Sequence, residues 1–383
     1  MVPRPAGGRN RAGPGDRQGS GAGPANARAA TGAGWAQGER EGIKGMGTGV
    51  RWGILSAANI AAGQFIPAVA ASRRGSLEAV AARDPARAAA YAQRHGIRRV
   101  LPDYAALIAD PDIDAVYVPL PNALHAEWTC AAARAGKHVL CEKPFAQDAG
   151  EARVAVEACE RAGVVAMESF VYRCHPQTLR IGRWLREGAI GEVRNAHAAF
   201  HFTLTGSRRQ TDIRMSAPLA GGSLMDVGCY PISWLRFVLG VEPTAATARG
   251  HWDEAQGVDT HVVGMLHFAA DRAGTFSCSF DTDSTLQARI VGTGGEIVVA
   301  QPYHPRGDGA TITLRRRGRP EEVACDARDE PAFLAAVEHF HDCVLDGATP
   351  LLPVRDAIAQ MAAIDAVRRS AQAGGATSPV SGG

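Results

Sequence analysis

The 383-residue chain predicts an α/β protein with two folded domains. The first, over 49–168, is a Rossmann domain: a doubly wound parallel sheet that binds a dinucleotide. The second, over 169–371, is expected to be an α/β domain on an open, mainly antiparallel sheet, with C-terminal helices able to pack back on the first domain. Three observations lead there. Short apolar strands alternate with helical patterns through the first part of the chain. Long alternating strands with short turns fill the second. The length suits two domains, and 46% hydrophobic against 21% charged residues is ordinary for a globular enzyme.

Taken in order, "VRWGIL" (Val50–Leu55) is a short apolar strand, and small residues lead from it into a helix from about Asn59 to Ala71. Leu77–Ala82 is the next strand, followed by a helix that Gly96 stops. A strand at "DAVYVPL", a helix across "NALHAEWTCAAARAG" and the strand "HVLC" come next, then a helix at about 148–163 and the strand "VVAMES". Repeated strand–helix alternation implies right-handed crossovers and a parallel sheet. Beyond a helix near "PQTLRIGRWLREG", strands are expected at "EVRNAHAAFHF", "HVVGMLHF", "GTFSCSF", "LQARIVGT" and "GEIVVAQ", with apolar residues on both sides.

The two ends read differently. Residues 1–48 are rich in Gly, Ala, Pro and Arg, without periodicity, and are expected to be disordered, as are 372–383. Translation starting at Met46 accounts for the first segment equally well. That segment holds seven basic and three acidic residues in a chain of net charge +2, which leaves the folded part slightly acidic. A nucleic-acid surface is therefore not expected. The eight cysteines form no C-x-x-C pair and read as buried thiols of a reducing cytoplasm. No apolar stretch is long enough to span a bilayer and the N-terminus lacks a signal-peptide core, so a cytoplasmic protein is expected. His197, His201, His251, His261 and His267 follow strand alternation rather than a ligand spacing, and no metal is expected.

In a Rossmann domain the first strand-to-helix turn normally carries G-x-G-x-x-G. Ser56, Ala58 and Ala61 stand in those places here, within a cofactor turn of Ser56, Ala57, Ala58, Asn59 and Ile60. Small side chains keep such a turn open to phosphates, although Ala58 lacks the φ > 0 freedom of glycine. At the end of the second strand an acidic residue selects NAD and an arginine suits the 2′-phosphate of NADP. Arg83 occupies that place, with Asp84 before Pro85 as a helix cap. NADP is favoured, NAD remains possible, and an exposed loop arginine is the plainer alternative.

The motifs "WGILSAANIA", "VAARDPARA", "PLPNALHAEW", "GKHVLCEKPF", "MESFVYRCHPQ" and "GGSLMDVGCYP" together resemble the Gfo/Idh/MocA oxidoreductases, from about Arg51 to about Arg369. Tyr230 in the last motif makes the resemblance strongest to the tyrosine branch, which contains dimeric dihydrodiol dehydrogenase, NADP-dependent xylose dehydrogenase and glucose-fructose oxidoreductase. The resemblance implies that Lys143 reaches both the nicotinamide pocket and the substrate hydroxyl. It further implies that Tyr230 is the acid/base, its pKa lowered by the lysine. Asp226 lies one turn before Tyr230 if the stretch is helical. Pro119, Leu120, Asn122, His125 and Glu142 are expected at the cofactor, and Arg173 and His175 at the substrate, His175 alternatively as a helix cap. A structural pairing of Lys143 with Glu142 is the bland alternative to catalysis.

Hydride transfer to or from a sugar, polyol or trans-diol is then the expected activity. An NADPH-dependent ketoreductase of a nucleotide-linked deoxysugar and a non-catalytic cofactor-sensing regulator are the alternatives. The same resemblance implies a homodimer or homotetramer formed through the C-terminal sheet.

Overall fold

A computed structural model describes residues 49–307, 310–324 and 330–381. The expected N-terminal tail and Cys325 lie outside the described residues. The first domain holds β1 (Val50–Leu55), α1 (Ile66–Ala71), β2 (Gly75–Ala81), α2 (Pro85–His95), β3 (Arg99–Val100), α3 (Tyr104–Ala109), β4 (Ala115–Val118), α4 (His125–Arg134), β5 (His138–Cys141), α5 (Ala149–Ala162) and β6 (Ala166–Glu168). The strands run in the order β3-β2-β1-β4-β5-β6, all parallel. This is the doubly wound order whose reversal between β1 and β4 opens a crevice at the strand C-termini.

Local chemistry sets these elements. Asp84 caps α2 by accepting from the backbone N–H groups of Ala86 and Arg87, with Pro85 at the first helical position. Asp148 caps α5 through Glu151 N–H in the same way. β1 is almost wholly buried, and its Trp52 packs edge-on to Phe65 with ring centroids 5.1 Å apart. Phe65 in turn stacks on Tyr117 of β4 at 4.1 Å.

The second domain contains α6 (Pro176–Arg186), β7 (Val193–Thr203), α7 (Ser207–Thr211), α8 (Cys229–Leu239), β8 (Ala245–Asp253), β9 (Val258–Phe268), β10 (Arg272–Ser279), β11 (Asp281–Gly292), β12 (Gly295–Val299), β13 (Ile312–Arg316) and β14 (Glu322–Ala324). After them come α9 (Ala332–Leu345), α10 (Asp356–Gln372) and β15 (Ser378–Pro379). Nine strands form one sheet in the order β14-β13-β12-β11-β7-β10-β9-β8-β15. Only the β7–β10 pair is parallel.

Two expectations need correction, for the C-terminal tail and for the face of the large sheet. The stretch from 372 is not wholly a disordered tail, because α10 reaches Gln372 and β15 pairs with β8 through Ser378 and Ala246. Helix α9, one of the C-terminal helices, packs back on the first domain. Phe340 packs on Trp52 at 4.8 Å, and Trp52 Nε1 donates to Nε2 of His341 at 2.9 Å. The outward face of the large sheet is also not evenly apolar. His197 pairs with Thr275 and His201 with Ser277, while Phe276 and Cys278 turn inward and are buried.

Candidate active site

The crevice opens into a cavity of about 1090 Å³ between the strand ends of the first sheet and the inward face of the second. Its cofactor end is built by the β1 turn. Ser56, Ala58, Asn59 and Ile60 line the cavity, and Ala57 is buried behind them, its carbonyl accepting from Arg87 Nη2 at 3.0 Å. The positive φ falls on Ser56, at 133°, the first glycine place of the fingerprint, and not on Ala58. A serine held there carries backbone strain of roughly 1–3 kcal/mol, of the kind that clusters at binding sites. Beyond the turn the chain does not enter an ordinary α-helix. A π-helical segment, Ala61–Phe65, precedes α1, and such segments recur at functional sites. Arg83 and Arg87 are both exposed on the cavity wall, one at the end of β2 and one on the first turn of α2.

The reactive end meets at Lys143. Its ammonium donates to the Asp226 carbonyl at 2.8 Å and to Asp226 Oδ1 at 3.0 Å, and lies 5.1 Å from the centroid of the Tyr230 ring. Glu142 is not its partner. That carboxylate lines the cavity, as expected, and accepts from Tyr117 Oη at 2.7 Å, and burial raises its pKa. Asp226 also accepts from Arg214 Nε at 2.7 Å, and Arg214 reaches Asp212. Burial alone would raise the Asp226 pKa. The two cations overcome it, Lys143 ahead of Arg214, and hold the carboxylate down at about 2. For Lys143, burial is opposed and outweighed by Asp226, so the ammonium is raised and stays charged.

Asp226 sits in a second π-helical segment, Leu224–Gly228, and Tyr230 at the start of α8. This segment is pinned by Asp259, whose carboxylate accepts from Ser223 Oγ at 2.7 Å and Leu224 N at 2.6 Å. Gly222 leads into it at φ 109°, where a Cβ would collide with the same carboxylate. Pro231, third residue of α8, lacks an N–H and is accommodated beside the π turn.

Tyr230 corrects the expected electrostatics. Its phenol is raised above the ordinary value, because burial outweighs the lowering by Lys143. The Lys143 ammonium, bound to Asp226, stands 5.1 Å from the centroid of the ring and only partly offsets that burial. Tyr230 lines the cavity, and its hydroxyl has no hydrogen-bond partner among the described residues.

Pro119, Leu120, Asn122 and His125 line the cavity as expected, but the two polar ones are engaged. Both ring nitrogens of His125 lie 2.7 Å from carbonyl oxygens, those of Pro144 and Leu120. Burial lowers its pKa to about 4, so the ring is neutral and its single N–H donates to one of these two carbonyls, bracing that turn. Asn122 Nδ2 donates to the Ala220 carbonyl at 2.8 Å and ties the two domains together. Arg173 and His175 do not line the cavity. The Arg173 guanidinium lies over Phe237 at 4.4 Å, and His175 is fully buried as the cap of α6, Nδ1 accepting from Gln177 N at 3.1 Å.

Sequence reasoning missed Arg87, Arg214 and His304. Arg87 was within reach, since it stands one helical turn after Arg83 on a capped helix. Arg214 and His304 lie on irregular segments without periodicity, and no local pattern marks them.

A Rossmann sheet whose strand ends face a lysine, a carboxylate and a tyrosine across a shared cavity defines a nicotinamide-dependent oxidoreductase. The oxidoreductase family with an NAD-binding Rossmann fold matches residues 50–170, and the GFO/IDH/MocA C-terminal domain matches residues 178–298. The chain belongs to the GFO/IDH/MocA oxidoreductase family. It is 39% identical over 326 residues to D-xylose 1-dehydrogenase (NADP(+)) 2 of Haloferax volcanii, covering 85% of this chain and 98% of that protein. It is 30% identical over 324 residues to the trans-1,2-dihydrobenzene-1,2-diol dehydrogenase of Oryctolagus cuniculus, covering 82% and 96%. Among solved structures, a 3-ketoreductase from Actinomadura kijaniata in complex with NADP and TDP-benzene superposes with a TM-score of 0.76 at 30% identity, over 84% of this chain and 98% of that one.

Proposed function

We propose that this chain is an NADP-dependent oxidoreductase that interconverts a hydroxyl and a carbonyl on a sugar, polyol or trans-diol. The observation that carries the reading is the unpartnered Tyr230 hydroxyl in the cavity beside the Lys143–Asp226 pair. NADP, when bound, supplies the hydride acceptor or donor. The residues present fit it: a small-residue turn at Ser56–Ile60 for the pyrophosphate, and Arg83 with Arg87 for the 2′-phosphate. Tyr230 exchanges a proton with the substrate oxygen, Lys143 supplies positive charge there, and Asp226 holds Lys143 in place. The names of the xylose and dihydrodiol dehydrogenase relatives support the substrate class.

One observation favours a second reading, reduction of a nucleotide-linked keto-deoxysugar. A phenol that stays protonated is already the form that donates to a carbonyl oxygen, and relatives include dTDP-3,4-didehydro-2,6-dideoxy-alpha-D-glucose 3-reductases. Following NADP reduction with pentoses, hexoses and trans-diols, and NADPH oxidation with a dTDP-linked keto-deoxysugar, tests both. Turnover in the first set alone supports the dehydrogenase, turnover of the last alone the ketoreductase, and turnover of none contradicts both. The open sheet face is the proposed surface of a homodimer or homotetramer, which a monomeric mass in sedimentation would contradict. Seven free buried cysteines among the described residues and a nicotinamide cofactor support a cytoplasmic setting.

A further inference from the structure

The groups around the substrate end of the cavity divide into engaged and free. Lys143, Asp226 and Arg214 are tied to one another. Among the described residues, the Tyr230 hydroxyl and the imidazole of His304 make no hydrogen bond, and neither does the guanidinium of Arg306, two residues further along the same loop. His304 comes from the loop after β12, 74 residues beyond Tyr230 in sequence. Its ring meets Tyr230 edge-on at 5.4 Å and 68°, and Phe200 edge-on at 5.6 Å and 76°. It lines the cavity, and neither of its ring nitrogens is hydrogen-bonded among the described residues.

We propose that His304 is the specificity residue of this site, hydrogen-bonding a substrate hydroxyl on a carbon other than the one that reacts at Tyr230. This rests on the oxidoreductase reading above. A neutral imidazole has one donor and one acceptor, which suits a hydroxyl because that group also gives and takes one hydrogen bond. Burial, reinforced by the nearby Lys143 charge, lowers the His304 pKa to about 4, so the ring is neutral at working pH. Two rings clamp its plane, so the hydrogen-bonding edge is presented in a fixed direction. The preferred substrate is thus a compound with at least two hydroxyls in a set spatial relation, not a simple alcohol.

The test is a cycle of enzyme and substrate deletions. The NADP-loaded wild type, His304→Phe and His304→Gln are compared on D-xylose and its 2-, 3- and 4-deoxy analogues by kcat/KM. Phenylalanine keeps the ring packing and removes both hydrogen bonds, and glutamine restores a donor and an acceptor. The wild type should disfavour one deoxy analogue by about 10- to 100-fold. His304→Phe should lose about that factor on D-xylose but little on that analogue, and His304→Gln should recover part of it. A uniform loss across all four sugars in His304→Phe, or a wild type indifferent to every deletion, overturns the inference. Should His304→Phe fail to fold, the same comparison is made with His304→Gln, where an unchanged deoxy profile overturns it. Failure of the underlying reading looks different: the wild type then reduces no NADP with any sugar, and the inference falls with it.

Discussion

Lys143 shows how one residue's role depends on what its charge already binds. With Asp226 at 3.0 Å, its ammonium is not a free cation that draws a proton off Tyr230. Burial outweighs the lowering by Lys143, so Tyr230 is protonated across the neutral range, its pKa lying above the ordinary phenol value. The consequence differs with direction. Carbonyl reduction uses the protonated phenol, so its rate should be flat from about pH 6 to 9 and fall only as pH passes the raised pKa. Alcohol oxidation needs the proton taken up, so its rate should rise with pH over the same interval. Steady-state pH profiles in both directions check this, and an oxidative rate that plateaus near pH 7 contradicts it. At the other end of the cavity, Arg83→Ala should weaken NADP binding by about 10-fold or more and leave NAD binding nearly unchanged, whereas Arg87→Ala, which also releases the Ala57 carbonyl of the cofactor turn, should weaken both and NADP the more. Fluorescence titration with both cofactors measures that, and equal losses for the two would remove the assignment.

At the scale of elements, legibility followed periodicity. Strands β1, β4 and β5 are continuous apolar runs and were readable, as was α2 between Asp84 and Gly96. Strand β8 was not, because Arg249, Gly250 and His251 interrupt its alternation, nor was β13, whose Arg315 and Arg316 look like a solvated turn. They are strands because their neighbours in the sheet pair with them. The π-helical segments, one after the Ser56 turn and one holding Asp226, have no sequence signature; Lys143, Asp226 and Tyr230 were readable as cavity residues, whereas Arg87, Arg214, His304 and the electrostatics of the site were not. The return of C-terminal helices to the first domain was readable in outline, but its contacts were not, since Phe340 and His341 meet Trp52 only in three dimensions. Removing that contact should be felt in the first domain: Phe340→Ala should destabilise the protein by about 3–5 kcal/mol, the usual range for a buried Phe. Denaturant unfolding followed by the fluorescence of buried Trp52 reads this, and a change under about 1 kcal/mol would mean that α9 is not part of that core.

For the whole molecule, the site exists only because two sheets face each other. The first contributes the cofactor turn, Arg83 and Lys143, and the second contributes Asp226 and Tyr230 on a turn fixed by Asp259. The central claim is that Tyr230 moves the proton while the rest of the assembly binds and orients. The most direct measurement is turnover of Tyr230→Phe with NADP and the best sugar of the panel, alongside its NADP affinity. The account predicts a kcat lowered by about 100-fold or more, as for loss of acid/base help, with NADP affinity within about twofold of wild type. A Tyr230→Phe protein that turns over at nearly the wild-type rate with an unchanged pH profile would contradict it.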